Sequence, residues 1–84
     1  MSDTKHLKRL RYRSWHRGTR EMDLLLGGFA DTHLQSFNAD QLEHYDSLLQ
    51  ESDPDLYDWI TGVAPIPAAK DNDMLQLLKS YKLR

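Results

Sequence analysis

Apolar residues recur at intervals of three and four along almost the whole of this 84-residue chain, and no period-two alternation lasts more than a few residues. The pattern predicts helices throughout. The first runs from about Thr4 to Ser14, with Ser2, Asp3 and Thr4 as capping oxygens and only Leu7 and Leu10 as an apolar stripe on a basic cylinder. Such a helix is marginal by itself, because two leucines bury little. The second starts near Gly18 or Thr19 and continues to about Phe37, with Met22, Leu25, Leu26, Phe29 and His33 on its core face. Gly27-Gly28 interrupts that face. It predicts either a kink or the close approach of another helix, within a helix that stays continuous.

Asn38 followed by Gln41 spells a capping box for a third helix to about Gln50, with Leu42, Tyr45 and Leu49 inward. Ser52 or Asp53 caps a fourth, Pro54 takes its first turn, Leu56, Trp59 and Ile60 face inward, and Gly62 stops it. Val63 to Ala69 holds two prolines and reads as a loop. A last helix from about Asp71 to Lys82 carries Met74, Leu77, Leu78 and Tyr81 on one stripe. Asp71 and Asp73 lie at its positive end, and Lys79 and Lys82 at its negative end. The expected fold is all-α: one domain over residues 1–84, a single small bundle of about five short helices, with 1–5 and 82–84 frayed.

Charge adds a polarity that the apolar pattern does not show. The net charge is −2, yet residues 1–20 hold seven Lys or Arg and one Asp, while residues 21–84 hold four basic and twelve acidic residues. A partner met by one charged end would explain the division, and so would a solvated basic helix with no ligand. With no cysteine, disulfides and thiolate chemistry are excluded. No apolar stretch approaches the ~20 residues of a membrane span, and no signal-peptide core follows the basic start, so no membrane partner is expected. Met1 without a transit sequence favours a bacterial cytoplasm over a mature protein of the mitochondrial matrix.

Catalytic and metal chemistry find little support. His33, His44 and Asp46 are scattered, with no HxxxH or HExxH spacing, so no metal site is expected. Ser14 precedes His16 by two residues, but no Gly-x-Ser-x-Gly turn exists. Asp53, Asp55, Asp58 and Glu21 sit where caps and solvated faces use them. Five short helices also leave little room for a substrate pocket of roughly several hundred Å3. No catalytic residue is assigned, and an enzyme is not expected.

The most informative segment is Arg17-Gly18-Thr19-Arg20-Glu21, which follows Tyr12-Arg13-Ser14-Trp15-His16. A glycine inside a helix costs about 1 kcal/mol relative to alanine, so Gly18 points to a tight join or a backbone that something approaches closely. Tyr12, Arg13, Trp15, His16, Arg17 and Arg20 are of the types common at binding hot spots. Arg17 and Glu21 could form an ordinary i,i+4 surface pair, although arginine ahead of glutamate is the weaker order. The functional alternative is that Arg17 offers its donor fork to a partner, Glu21 orients Arg17 or takes a partner cation, and Gly18 keeps the surface flat. Lys5, Lys8, Arg9 and Arg11 join these arginines, with Tyr12 and Trp15, as a nucleic-acid candidate. The acidic remainder and a pI near 6.0 argue against it.

These residues resemble the SdhE-type FAD assembly factors, the succinate dehydrogenase flavinylation factors, through their RGxxE motif at Arg17, Gly18 and Glu21. The resemblance covers about residues 7 to 81. It includes Arg13-Ser14-Trp15-His16, the Met22 to Phe29 helix, Asp53-Pro54-Asp55-Leu56 with Trp59, and the terminal helix from Met74 to Tyr81. It implies a helical assembly factor that binds the flavoprotein subunit of succinate dehydrogenase, and by extension of fumarate reductase, and promotes covalent attachment of FAD to a histidine there. Arg17, Gly18 and Glu21 would form the core of the partner surface, with Arg13, Trp15, His16, Arg20 and Tyr12 around it. FAD would be the partner's cofactor, with none held stably by this chain. The alternative is a regulatory interaction protein, antitoxin-like or nucleic-acid-associated, that uses the basic first helix.

Overall fold

The computed structural model describes residues 4–82. Five α-helices follow in order: α1 (Thr4–Trp15), α2 (Arg20–His33), α3 (Ala39–Leu48), α4 (Asp53–Thr61) and α5 (Asp73–Lys82), with one 3-10 turn, Leu34–Ser36, between α2 and α3. The all-α bundle expected from periodicity is the observed fold. Of the ends expected to fray, residues 1–3 and 83–84 lie outside the described residues, whereas residues 4, 5 and 82 are helical.

Local chemistry sets most boundaries. Thr19 caps α2 through its hydroxyl, which accepts from the Met22 amide. Asn38 and Gln41 form the reciprocal capping box at the start of α3. Ser52 caps α4, Pro54 sits in its first turn, and Gly62 ends it. The last helix starts two residues later than expected because the Asn72 carboxamide caps it by accepting from the Leu75 amide at 2.9 Å. The long second helix also stops early, at His33. Phe37 and Asn38 must be extended to enter the capping box, and the 3-10 turn makes that change of direction.

The core is one cluster to which every helix contributes: Leu10 from α1, Met22, Leu26 and Phe29 from α2, Tyr45 and Leu48 from α3, Leu56 and Trp59 from α4, and Leu75 and Leu78 from α5. Phe29 is its aromatic centre, with the rings of His33, Phe37, Tyr45 and Tyr81 all within 6.1 Å centroid to centroid. Gly27-Gly28 does not break α2. The Trp15 indole of α1 occupies the space where a Gly27 Cβ would stand, and the Tyr81 hydroxyl of α5 lies 2.6 Å from the corresponding point on Gly28. The glycine pair therefore serves close approach on two sides of one helix.

Inside the core, Ser14 and Tyr45 form a satisfied polar relay. The Ser14 hydroxyl donates to the Leu10 carbonyl at 2.7 Å and lies 2.6 Å from the Tyr45 hydroxyl, which in turn lies 3.4 Å from the Leu26 carbonyl. Burial pushes the Tyr45 phenol up to about 12, against smaller opposing effects of the Ser14 hydrogen bond and of Arg17 and Arg13.

Candidate functional site: the turn between the first two helices

Three arginines tie the first helix and its exit turn to three other helices. Arg11 Nε lies 3.2 Å from Asp31 of α2, without hydrogen-bond alignment. Arg13 donates to Asp46 of α3 at 2.7 Å, and Arg17 donates through Nε to Asp53 of α4 at 2.8 Å. Side-chain exposure ranks them. The Arg11 pair is 40% and 49% exposed, the Arg13 pair 30% and 35%, and the Arg17 pair only 10% and 18%. Exposed pairs contribute little, so Arg17 is the anchor of the three.

The rest of Arg17 is equally committed. Its two terminal nitrogens donate to the carbonyls of Leu49 and Glu51, each at 2.8 Å, just beyond the end of α3. A cation there meets the negative end of the helix and fills acceptors that the helix itself leaves open. The third helix consequently ends at Leu48, earlier than the sequence suggested. The backbone amide of Arg17 donates to Asp23 Oδ1 at 2.5 Å, so the turn is held from both of its sides.

This geometry corrects two expectations about the motif. Arg17 offers no free fork, and it is not oriented by Glu21. The i,i+4 rule holds within a helix, and Arg17 lies two residues before the Thr19 cap, outside α2. Gly18 is exposed, as expected, but its φ of +138° supplies a backbone reason for glycine. A Cβ there would also stand 3.3 Å from Asp53 Oδ2, beside the anchor pair.

The remaining site residues divide by exposure. His16 stacks on Tyr12 with centroids 4.0 Å apart, and its Nδ1 lies 2.7 Å from the Tyr12 carbonyl at the end of α1. Tyr12 is 63% exposed. Trp15 is half-buried over Gly27, and its indole N–H donates to Asp31 at 3.3 Å. Arg20 and Glu21 are exposed in the first turn of α2 and have no ion-pair partner among the described residues. Leu24, 55% exposed, follows them by four and three residues and so shares their face. Sequence reasoning missed Leu24. The available signal was its place in Leu24-Leu25-Leu26 one step off the core stripe.

Ser14 and His16 do not come together, since Ser14 is fully buried and His16 lies at the surface. No group of three metal-ligating side chains occurs among the described residues. None of their helices is long and apolar enough to cross a membrane. One expectation about space is overturned. A cleft of about 420 Å3 opens between the ends of α3, α4 and α5, lined by Leu48, Glu51, Leu56, Trp59, Lys70 and Leu75. The 62–72 loop packs Ala64 and Ile66 against the core and borders the cleft at Lys70, whose ion pair with Glu51 tethers it.

Fold and site together define a small all-α domain whose chemistry-bearing residues gather at a locked surface turn. The model of the family described as flavinator of succinate dehydrogenase matches residues 8–82, and the chain belongs to that family. It is 46% identical over 76 residues to the mitochondrial succinate dehydrogenase assembly factor 2-A of Drosophila erecta, covering 88% of this chain and 47% of that protein. It is 39% identical over 69 residues to the FAD assembly factor SdhE of Acetobacter pasteurianus, covering 82% of this chain and 63% of that one. The mitochondrial assembly factor 2 of Dictyostelium discoideum is 39% identical over 74 residues, 88% of this chain and 52% of its own length. The chain thus spans about half to two-thirds of the length of these relatives.

Proposed function

We propose that this protein is an assembly factor that binds the flavoprotein subunit of succinate dehydrogenase and promotes covalent attachment of FAD to it. The observation that carries the reading is the family match, which runs through the locked Arg17-Gly18 turn and past Glu21. In this reading the motif divides its labour. Arg17 and Gly18 hold the turn, and Glu21, Arg20, Leu24, the edge of Trp15 and the Tyr12–His16 stack touch the partner. Arg13 supports them from behind through Asp46. An exposed leucine sharing a helix face with unpaired charges, together with an exposed aromatic pair at the end of α1, is suited to protein docking.

The chain supplies binding energy and orientation, while the reacting groups, flavin and acceptor side chain, belong to the partner. Catalysis by positioning asks only that the partner's domains be held in the geometry where flavin and acceptor meet. FAD is the partner's cofactor in this account. Fumarate reductase is included as a second client only because the family resemblance implies it. A bacterial cytoplasmic setting rests on the A. pasteurianus relative, whereas the Drosophila and Dictyostelium relatives carry mitochondrial in their names.

The test is covalent flavin on the partner. The flavoprotein subunit is expressed alone, with this chain, and with its Glu21→Gln or Leu24→Gln variant, then denatured and read by in-gel fluorescence. The native chain should raise the signal, and both variants should lower it several-fold while melting within about 3 °C of the native chain, as surface substitutions do. No rise with the native, folded chain would sink the proposal.

A further inference from the structure

The basic residues of the first helix fall into two sets that the charge count alone does not separate. Arg11 and Arg13 face acids on other helices, as Arg17 does just beyond the end of α1. Lys5, Lys8 and Arg9 are exposed and have no ion-pair partner among the described residues. At 100° per residue, Lys5, Lys8, Arg9, Tyr12 and His16 fall on one side of the helical path, opposite the buried Leu10 and Ser14. The stripe is about 16 Å long at 1.5 Å per residue and ends in the Tyr12–His16 stack, beside the turn.

We infer that this stripe is a second docking contact, one that takes a short acidic stretch on the surface of the partner flavoprotein and guides the turn onto its site. The inference rests on the function proposed above. Three unpaired cations in a row suit a brief run of carboxylates, and attraction of that kind acts chiefly on the rate of encounter. A longer polyanion such as a nucleic acid would run past the stripe onto the rest of the surface, where residues 21–84 hold twelve acids against four bases. Continuity with the turn means that one partner can engage both. The tightly packed turn would govern how long the complex lasts, and the stripe how fast it forms.

The experiment compares the native chain with a Lys5→Gln, Lys8→Gln, Arg9→Gln triple variant, and separately with Glu21→Gln. Association and dissociation with immobilised flavoprotein subunit are followed at low and at physiological salt. The triple variant should associate about tenfold more slowly at low salt, lose most of the salt dependence of the native chain, and dissociate at the native rate. Glu21→Gln should keep the native association rate and dissociate faster. Equal association rates and equal salt dependence for the triple variant and the native chain would overturn the stripe's role and leave the proposed function standing. So would tight binding of a single-stranded oligonucleotide that the triple variant loses while its binding to the flavoprotein is unchanged. If the native chain does not bind the flavoprotein at all, the functional proposal fails and the stripe's assignment falls with it.

Discussion

Replacing Arg17 by alanine removes three donors at once, and the structure sets the scale of the loss. Asp53 Oδ1, the Leu49 carbonyl and the Glu51 carbonyl each receive a charge-assisted bond at 2.8 Å. Bonds of this kind contribute about 1.5–3 kcal/mol each, and breaking a buried pair costs about 3–5 kcal/mol. The pair is 10% and 18% exposed, so water can reach part of the vacated site, and the lower figure of about 3 kcal/mol applies. For a domain of 84 residues the entropy of unfolding converts each kcal/mol into about 6 °C, so the melting temperature should fall by about 15–20 °C. Arg17→Lys keeps the charge but cannot reach all three acceptors from one nitrogen, and should lose about half as much. Thermal melts followed by helical circular dichroism read both. The same variants are then tested for flavin incorporation well below their melting points. If Arg17→Ala melts within about 3 °C of the native protein while flavin incorporation is abolished, Arg17 is a partner contact and the internal clamp is not its role.

Gly18→Ala should lower the melting temperature by about 6–18 °C, since a side chain at φ +138° costs about 1–3 kcal/mol and would press on Asp53; an unchanged melt would show that the turn relaxes freely. Gly27→Ala should drive the Trp15 ring off α2 and break its bond to Asp31, which a red-shifted Trp15 emission in a Trp59→Phe background would report; unaltered emission would mean the helices simply part. Alkaline stability should depend on Tyr45. Its phenol is raised to about 12 from 10 when unfolded, so its contribution is complete below pH 10 and is lost as the pH climbs to 12. That amounts to about 2–3 kcal/mol by the upper limit, and denaturant melts of Tyr45→Phe should lack this part of the decline; identical pH profiles would refute the assignment.

What was legible in the sequence was what neighbours decide. The Asn38–Gln41 box, the Ser52 cap with Pro54, and the Leu56, Trp59 and Ile60 face need only residues three or four apart, and each stands where the spacing put it. Leu48 and Leu75 escaped because each sits at the margin of its stripe and is buried by an element distant in the chain. The same limit applies to the site. That Tyr12 to Glu21 gathers chemistry-bearing residues could be read directly, but the partners of Arg17 lie 32 to 36 residues away. No local rule relates those positions, so an arginine that closes a tertiary junction looked the same in sequence as one reaching for a ligand.

The weakness of the first helix explains why so much of its charge turns inward. Leu10 is its one fully buried leucine, and Leu7 is half-covered. A stripe so thin cannot hold twelve residues to the bundle. The helix is fastened instead by polar and aromatic means, through Ser14 to Tyr45, Trp15 over Gly27, and Arg11 and Arg13 to acids on α2 and α3. Arg17 adds the strongest fastening at the exit. Of the seven basic residues among the first twenty, these three arginines already face acids, and only Lys5, Lys8, Arg9 and Arg20 remain to meet anything outside. The charged end that suggested a polyanion partner is thus smaller than its count. A surface with four outward cations, one unpaired glutamate and an exposed leucine is better matched to a folded protein with mixed charge than to a continuous line of phosphates.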